Sequence, residues 1–234
     1  MKEINISPRL LSAADFVRQD AILADIGTDH AYLPLFLLEQ GRITRAFCSD
    51  INEGPLASAK ANIAAAGYID RVEFALADGA DALAGKGITD YTVCGMGGEL
   101  IADIIDRAEE MRDPAVQLIL QPMTRRGALA SYLYKNGFEI LCEAYSKDAG
   151  KYYVTLLAEF VGKCRDIDEI EAEFGRADTP ARNPEAKIGY LKSKLGVFEK
   201  RRAGIEKSSL GGEDYTPHIE YIKTLINEEE RRLK

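Results

Sequence analysis

Ile22-Leu23-Ala24-Asp25-Ile26-Gly27-Thr28-Asp29-His30 is an apolar run that ends in an acidic, glycine-bearing turn. It reads as a buried strand whose carboxyl end opens into a turn ahead of a helix, the place where Rossmann-like sheets receive a cofactor. Gly27 has no Cβ, so it permits a tight turn and close approach of a ligand to the backbone. Asp25 and Asp29 are expected to aim carboxylates into one pocket, with Thr28 between them. A dinucleotide enzyme would place Gly-x-Gly-x-x-Gly here, so that backbone N–H groups meet a pyrophosphate. One glycine flanked by acids disfavours a phosphate. It suits S-adenosyl-L-methionine, which carries a sulfonium and an amino group and no phosphate.

Outward from that turn, apolar strand-like runs alternate with segments of helical period from about residue 21 to 160, the pattern of parallel strands joined by crossover helices. Strands are expected at 21–26, 46–50, 72–77, 91–95, 116–121, 138–145 and 152–160. The segment 56–66 is rich in good helix formers and closes at Gly67, which suits a left-handed cap. The polar stretch 146–150 suits a hairpin rather than a crossover. The fold class expected is therefore α/β, a Rossmann-like class I methyltransferase with a seven-stranded, mostly parallel sheet that ends in an antiparallel hairpin. Asp50 and Ile51 close the second strand, 25 residues after Asp25, where such folds place the acid that binds ribose hydroxyls. Asp78 and Gly79 close the third, where the adenine of the cofactor is held. Each of these residues alone reads as a turn former; their order and spacing together favour the cofactor site.

The chain has 234 residues, of which 46% are apolar and 29% charged, an ordinary balance for a globular protein. The longest apolar stretch, Ala31–Leu38, is far short of the roughly 18 to 20 residues of a membrane span. Residues 1–5 lack the apolar core of a secretory signal, so a cytoplasmic location is expected. Cysteines at 48, 94, 142 and 164 form no Cys-x-x-Cys pair and read as reduced thiols, mostly buried. With two histidines in all, no metal site is expected. Net charge is −8, yet residues 160–234 hold 15 Lys/Arg and 15 Asp/Glu, so the acidity belongs to the rest of the chain. Lys187, Lys192, Lys194, Lys200, Arg201 and Arg202 could supply a local basic face, although such a run is commonly a solvated helix surface. Glu109-Glu110 and Glu228-Glu229-Glu230 read as solvated faces.

After Gly162 the sequence turns charged and helix-favouring, broken at Asp178-Thr179-Pro180, Asn183-Pro184 and 208–212. Ile188, Leu191, Leu195, Phe198 and Ile205 recur at mostly helical spacing, as do Ile219, Ile222, Ile226 and Leu233, so two antiparallel helices are expected. The division is residues 1–162 as the cofactor-binding domain and 163–234 as a helical, coiled-coil-like domain. A monomer is expected.

The fourth strand leads into Cys94-Gly95-Met96-Gly97-Gly98, where amino-methyltransferases usually carry Asn-Pro-Pro-aromatic. Glycines there let the backbone approach a flat base or the cofactor, and Met96 offers an adaptable apolar wall. A tight strand-to-helix turn would need the same glycines.

At these residues the chain resembles the bacterial tRNA (adenine(22)-N1)-methyltransferases. The resemblance covers about residues 4–160 and rests on Ser7-Pro8-Arg9-Leu10, on Asp25 through Pro34, on Gly95-Met96-Gly97-Gly98, on Leu118-Ile119-Leu120-Gln121-Pro122 and on Gly150-Lys151-Tyr152-Tyr153. It implies methyl transfer from S-adenosyl-L-methionine, leaving S-adenosyl-L-homocysteine, to N1 of an adenine in the D-arm region of tRNA. The C-terminal helices would help to grip the RNA. Asp29, His30, Tyr32 and Met96 are then the candidate catalytic residues. Arg9, Gln121, Tyr152 and Lys200-Arg201-Arg202 are the candidate substrate contacts. Met123 stands where some family members have Asn. A methyltransferase of the same fold acting on a small molecule or a protein is the alternative. A non-catalytic RNA scaffold and a nicotinamide dehydrogenase are weaker ones.

Overall fold

The computed structural model describes residues 4–207 and 212–234. Its strands are β1 (Ala21–Ile26), β2 (Ile43–Asp50), β3 (Val72–Leu76), β4 (Asp90–Gly97), β5 (Gln117–Thr124), β6 (Phe138–Asp148), β7 (Lys151–Phe160) and β8 (Ala181–Arg182). They form one sheet in the order β3-β2-β1-β4-β5-β7-β6-β8. The first five are mutually parallel, and β7 runs antiparallel to both β5 and β6. All seven expected strands are present in the Rossmann-like arrangement.

The sheet has eight strands rather than seven. The break expected between Pro180 and Pro184 contains β8, which pairs in parallel with Glu143–Ala144 of β6. Proline cannot donate to a ladder and so belongs at sheet edges; a two-residue edge strand between prolines carries the sequence signature of a loop. The hairpin loop is also tighter than expected. It is only Ala149-Gly150, both at positive φ (45° and 81°), the pattern of the type I′ turn that matches strand twist.

Helices α1 (Pro8–Ala14), α2 (Tyr32–Glu39) and α3 (Glu53–Ala65) share one apolar cluster with alternate residues of the inner strands, including Leu23 of β1. Helices α4 (Gly98–Arg107) and α5 (Arg126–Lys135) share the other with Ala24 and Ile26. This alternation follows from successive side chains of a strand pointing to opposite faces. Gly67 follows α3 at φ +82° as expected.

The C-terminal segment supplies α6 (Glu169–Phe174), α7 (Pro184–Lys207) and α8 (Thr216–Arg232). Asp168 caps α6 by accepting from the N–H groups of Ile170 and Glu171. Helices α7 and α8 are antiparallel: Lys187 pairs with Glu229, and Glu199 with Lys223. Residues 208–211 of the turn expected between them lie outside the described residues. Tyr190, Leu191 and Phe198 of α7 and Ile219, Ile222 and Leu225 of α8 belong to the same cluster as the sheet.

Two readings of surface charge are corrected by this packing. Lys187, counted toward a basic face, is fully buried and 2.8 Å from Glu229, which is itself 3% exposed rather than on a solvated face. Burial removes both from water, so each needs the other.

Candidate cofactor and acceptor site

Two cavities meet at the carboxyl ends of the strands. The first, about 330 Å³, is walled by Gly27, Asp29, Asp50, Ile51, Asp78, Gly79, Gly95 and Met96. The second, about 430 Å³, lies under α1 and is walled by Asn5, Ser7, Arg9, Asp25, Asp29, Tyr32 and Asp148. Arg9, Gly27, Asp29 and Cys94 face both.

The strand ends explain the first cavity. Gly27 turns the chain at φ +72°, and a Cβ there would lie 2.0 Å from the Met96 Cε that packs over it. The Gly27 and Thr28 amides donate to the Ser49 carbonyl, tying the β1 turn to β2. Asp50 accepts the Asn52 amide on Oδ1 at 2.8 Å. Asp78 sits 3.1 Å from Arg107. Gly79, at φ +65°, accepts the Ser49 hydroxyl at 2.9 Å. Gly95 falls where the β4–β5 register shifts, and a Cβ on it would come no nearer than 3.9 Å to any group, the Arg9 guanidinium. Such a bulge turns the backbone toward the cavity.

Asp25 lies opposite Cys48 and Thr92 in the sheet and accepts hydroxyl hydrogen bonds from Thr28 at 2.6 Å and Thr92 at 2.8 Å. Burial pushes its carboxyl above the usual range, against those two bonds. Thr28 is thereby committed: it is 1% exposed and lines neither cavity, so it holds Asp25 rather than a ligand. Cys94, beside Asp25, has its thiol pushed well up by burial and by that carboxylate, which leaves it a neutral wall.

His30 and Ala31 both take left-handed backbone, at φ +63° and +54°. The His30 ring stacks on Tyr32 with centroids 5.4 Å apart, and its Nε2 is 3.3 Å from Asp29 Oδ1. Asp29 and Tyr32 face the second cavity; His30 stands behind them and lines neither.

Arg9 donates to Gln121 Oε1 at 3.0 Å, while Gln121 Nε2 donates to the Arg9 carbonyl and to Thr155 Oγ1, both at 2.8 Å. Gln121 is fully buried. It fastens α1 to β5 and β7, while Arg9 lines both cavities. Tyr152 lines a separate cavity of about 360 Å³, beside Met123, Arg125, Lys151, Tyr153 and Lys194. The basic face expected on α7 is largely neutralised: Lys192 pairs with Glu230, Lys194 with Glu173 and Arg202 with Glu206. Arg201 lies over Phe198 and Tyr215, and Lys200 is exposed.

The donor set fits S-adenosyl-L-methionine. Carboxylates from three strand ends suit a ligand with sulfonium and ammonium centres and ribose hydroxyls. The open backbone at Gly95 leaves room for it where a side chain would intrude. Among the described residues no cluster of metal-ligating side chains occurs, and no helix is long and apolar enough to cross a membrane. Asp148 and Ser7, which sequence reasoning gave no role of their own, also line the second cavity. Asp148 had no local signal, because its place is set by a hairpin more than a hundred residues from Asp29.

Comparison with known proteins agrees with this geometry. A family of methyltransferase domains matches residues 6–156. The tRNA (adenine(22)-N(1))-methyltransferase of Bacillus subtilis is 32% identical over 193 residues, covering 82% of this chain and 81% of that protein. A Streptococcus pneumoniae protein assigned to tRNA (m1A22) methylation, solved with S-adenosyl-L-methionine, superimposes with a TM-score of 0.76 at 31% identity, over 98% of this chain and all of that one. A Mycoplasma capricolum structure holding S-adenosyl-homocysteine shares the fold at 24% identity and a TM-score of 0.73, over 97% of each chain.

Proposed function

The chain belongs to the tRNA (adenine(22)-N(1))-methyltransferase family and is an S-adenosyl-L-methionine-dependent tRNA adenine N1-methyltransferase; from that premise we propose how its residues share the reaction. When bound, the cofactor supplies an electrophilic methyl group on a sulfonium. Asp50, with Ile51 beside it, holds the ribose, and Asp78 and Gly79 the adenine end. Gly27 and Gly95 receive the ligand along open backbone, and Met96 closes the wall. Asp25 and Asp29 face its cationic end, Asp25 held in place by Thr28.

The acceptor needs little chemical help. N1 of neutral adenine carries an in-plane lone pair, so no covalent intermediate and no obligatory base are required. Alignment supplies most of the rate: the Watson–Crick edge must be freed, and N1 held about 3 to 3.5 Å from the methyl carbon. Asp29 stands between the two cavities and orients base against cofactor, with Tyr32, backed by His30, as the flanking aromatic wall. Arg9, aimed by Gln121, meets a phosphate or the cofactor carboxylate. Two cavities that share Arg9, Gly27, Asp29 and Cys94, one bearing the strand-end acids and the other open under α1, support this division most directly.

Residues 163–234 serve as the helical part that grips the RNA, with Lys200, Arg201 and Tyr152 as contacts and residues 1–162 as the cofactor-binding part. The target adenine lies in the D-arm region, the enzyme works in the cytoplasm beside its tRNA, and one copy suffices. The experiment is incubation with labelled cofactor and unmodified bulk tRNA, followed by digestion to nucleosides to identify the product and by primer extension to place it. N1-methyladenosine at one D-arm position is expected; cofactor binding with no methylated RNA would transfer the activity to a small-molecule or protein acceptor.

A further inference from the structure

Adenine offers two groups on its Watson–Crick edge: the N1 lone pair, which must stay open for the methyl group, and the N6 amino hydrogens. An acceptor site for adenine therefore profits from a carboxylate, which only accepts hydrogen bonds, placed on the side of the cavity away from the cofactor. Asp148 meets that description. It lines the cavity under α1 and not the one that holds Asp50 and Asp78, whereas Asp29 faces both and lies 3.3 Å from His30. Asp148 makes no side-chain hydrogen bond or ion pair among the described residues. Its backbone is fixed all the same: it pairs with Lys151 across the ladder and opens the two-residue turn Ala149-Gly150. On the same wall, the Ser7 hydroxyl is shielded from solvent and has no partner, a polar group with a bond to give to a bound ligand.

We propose that Asp148 reads the N6 amino group of the target adenine and that this hydrogen bond tightens as the methyl group is transferred; the proposal rests on the tRNA adenine N1 reading given above. In the reaction the N1–CH3 bond forms as the S–CH3 bond breaks, the electron pair of the latter staying on sulfur, and no proton moves. Positive charge passes from sulfonium to the adenine ring, where N6 shares it. The N6–H group is then a stronger donor than in the ground state, so a carboxylate facing it binds the transition state better than the substrate. Guanine presents a carbonyl oxygen at the same place and meets repulsion.

The test is a cycle in which both partners are altered: wild-type enzyme, Asp148→Ala and Asp148→Asn, each against two tRNA transcripts carrying adenine or unsubstituted purine at the target position. Purine keeps N1 and lacks the amino group. Single-turnover methylation is read together with cofactor affinity and the melting curve of each variant. For the wild type, purine is expected to react at least about tenfold more slowly than adenine, the scale of a hydrogen bond to a charged group. In Asp148→Ala the purine penalty should shrink by about tenfold, to the intrinsic difference in N1 nucleophilicity that loss of the amino group makes, with cofactor affinity and melting unchanged, and Asp148→Asn should keep part of the wild-type penalty. An equal purine penalty in wild type and both variants would overturn the proposal. Failure of the wild type to form N1-methyladenosine on the adenine transcript would instead remove the underlying reading, and the proposal with it.

Discussion

Acids at the two ends of the strand order have different fates. On the β2-β1-β4 side, Asp29 and Asp50 stand at strand ends facing a cavity, and Asp25 is buried with only hydroxyl partners. On the β7-β6-β8 side, acids are buried against the chain's own cations: Glu143 with Arg126 and the Tyr145 hydroxyl, Glu229 with Lys187 and Arg232. The first set leaves negative potential for a cationic ligand; in the second, Glu143 holds Arg126 of α5, whose guanidinium also donates to the Ala172 carbonyl of α6, and Glu229 ties α8 to α7. Net charge alone conceals this separation.

The sharpest way to break the comparison is at the joint. Glu143→Ala strands the Arg126 guanidinium, 5% exposed, and should cost about 3 to 5 kcal/mol in urea unfolding. A loss below about 1 kcal/mol, the level of exposed pairs, would mean that the joint is not held by charge. Asp50→Ala should do the opposite, weakening cofactor binding about 10- to 100-fold in a calorimetric titration while leaving unfolding nearly unchanged. Asp29→Ala should slow methylation by about tenfold even at saturating cofactor, beyond any loss of cofactor affinity; full activity at saturating cofactor would remove Asp29 from the acceptor side.

Asp25 gives the smallest effect and a defined sign. Its carboxyl is raised by burial, so the folded chain keeps that proton to higher pH than the unfolded chain. Above the ordinary value of about 3.9, Asp25 therefore makes the native state lose stability as pH rises through the raised pKa. Asp25→Asn should remove that component, so the difference in melting temperature between variant and wild type should grow from pH 4 toward pH 7. A constant difference would show that the carboxyl is not desolvated.

Cutting the chain after Gly162 is a poor test of RNA grip, since Tyr190, Leu191 and Phe198 cover the sheet. Replacing Lys200 and Arg201 by Gln leaves that cover in place, and should reduce the salt dependence of tRNA binding by about one unit of slope for each phosphate no longer neutralised.

The strand-end cavity was legible because it is local. Asp25-Ile26-Gly27, Asp50-Ile51 and Asp78-Gly79 each sit at the end of an apolar run, and period and turn chemistry place them without knowledge of packing. What failed was long-range. Gln121 reads as a substrate contact, but three hydrogen bonds to α1 and β7 consume it. Lys187 and Glu229 read as surface because their type is usually exposed, and nothing local announces a partner 42 residues away. Asp148 was invisible for the same reason: a hairpin tip has no sequence mark for the cavity it reaches.

The two residues of β8 also bear on how the molecule is made. They attach the C-terminal segment to the far edge of the sheet, and they can pair only once the chain beyond β7 has been made. A polypeptide emerging from its N-terminus exposes β6 and β7 to the cell before α7 and α8 exist to shield them. The pocket is thus built from the first part of the message and made durable by the last, so a chain cut short soon after residue 160 leaves bare the part of the sheet face that α7 and α8 cover, a substrate for chaperones and proteases.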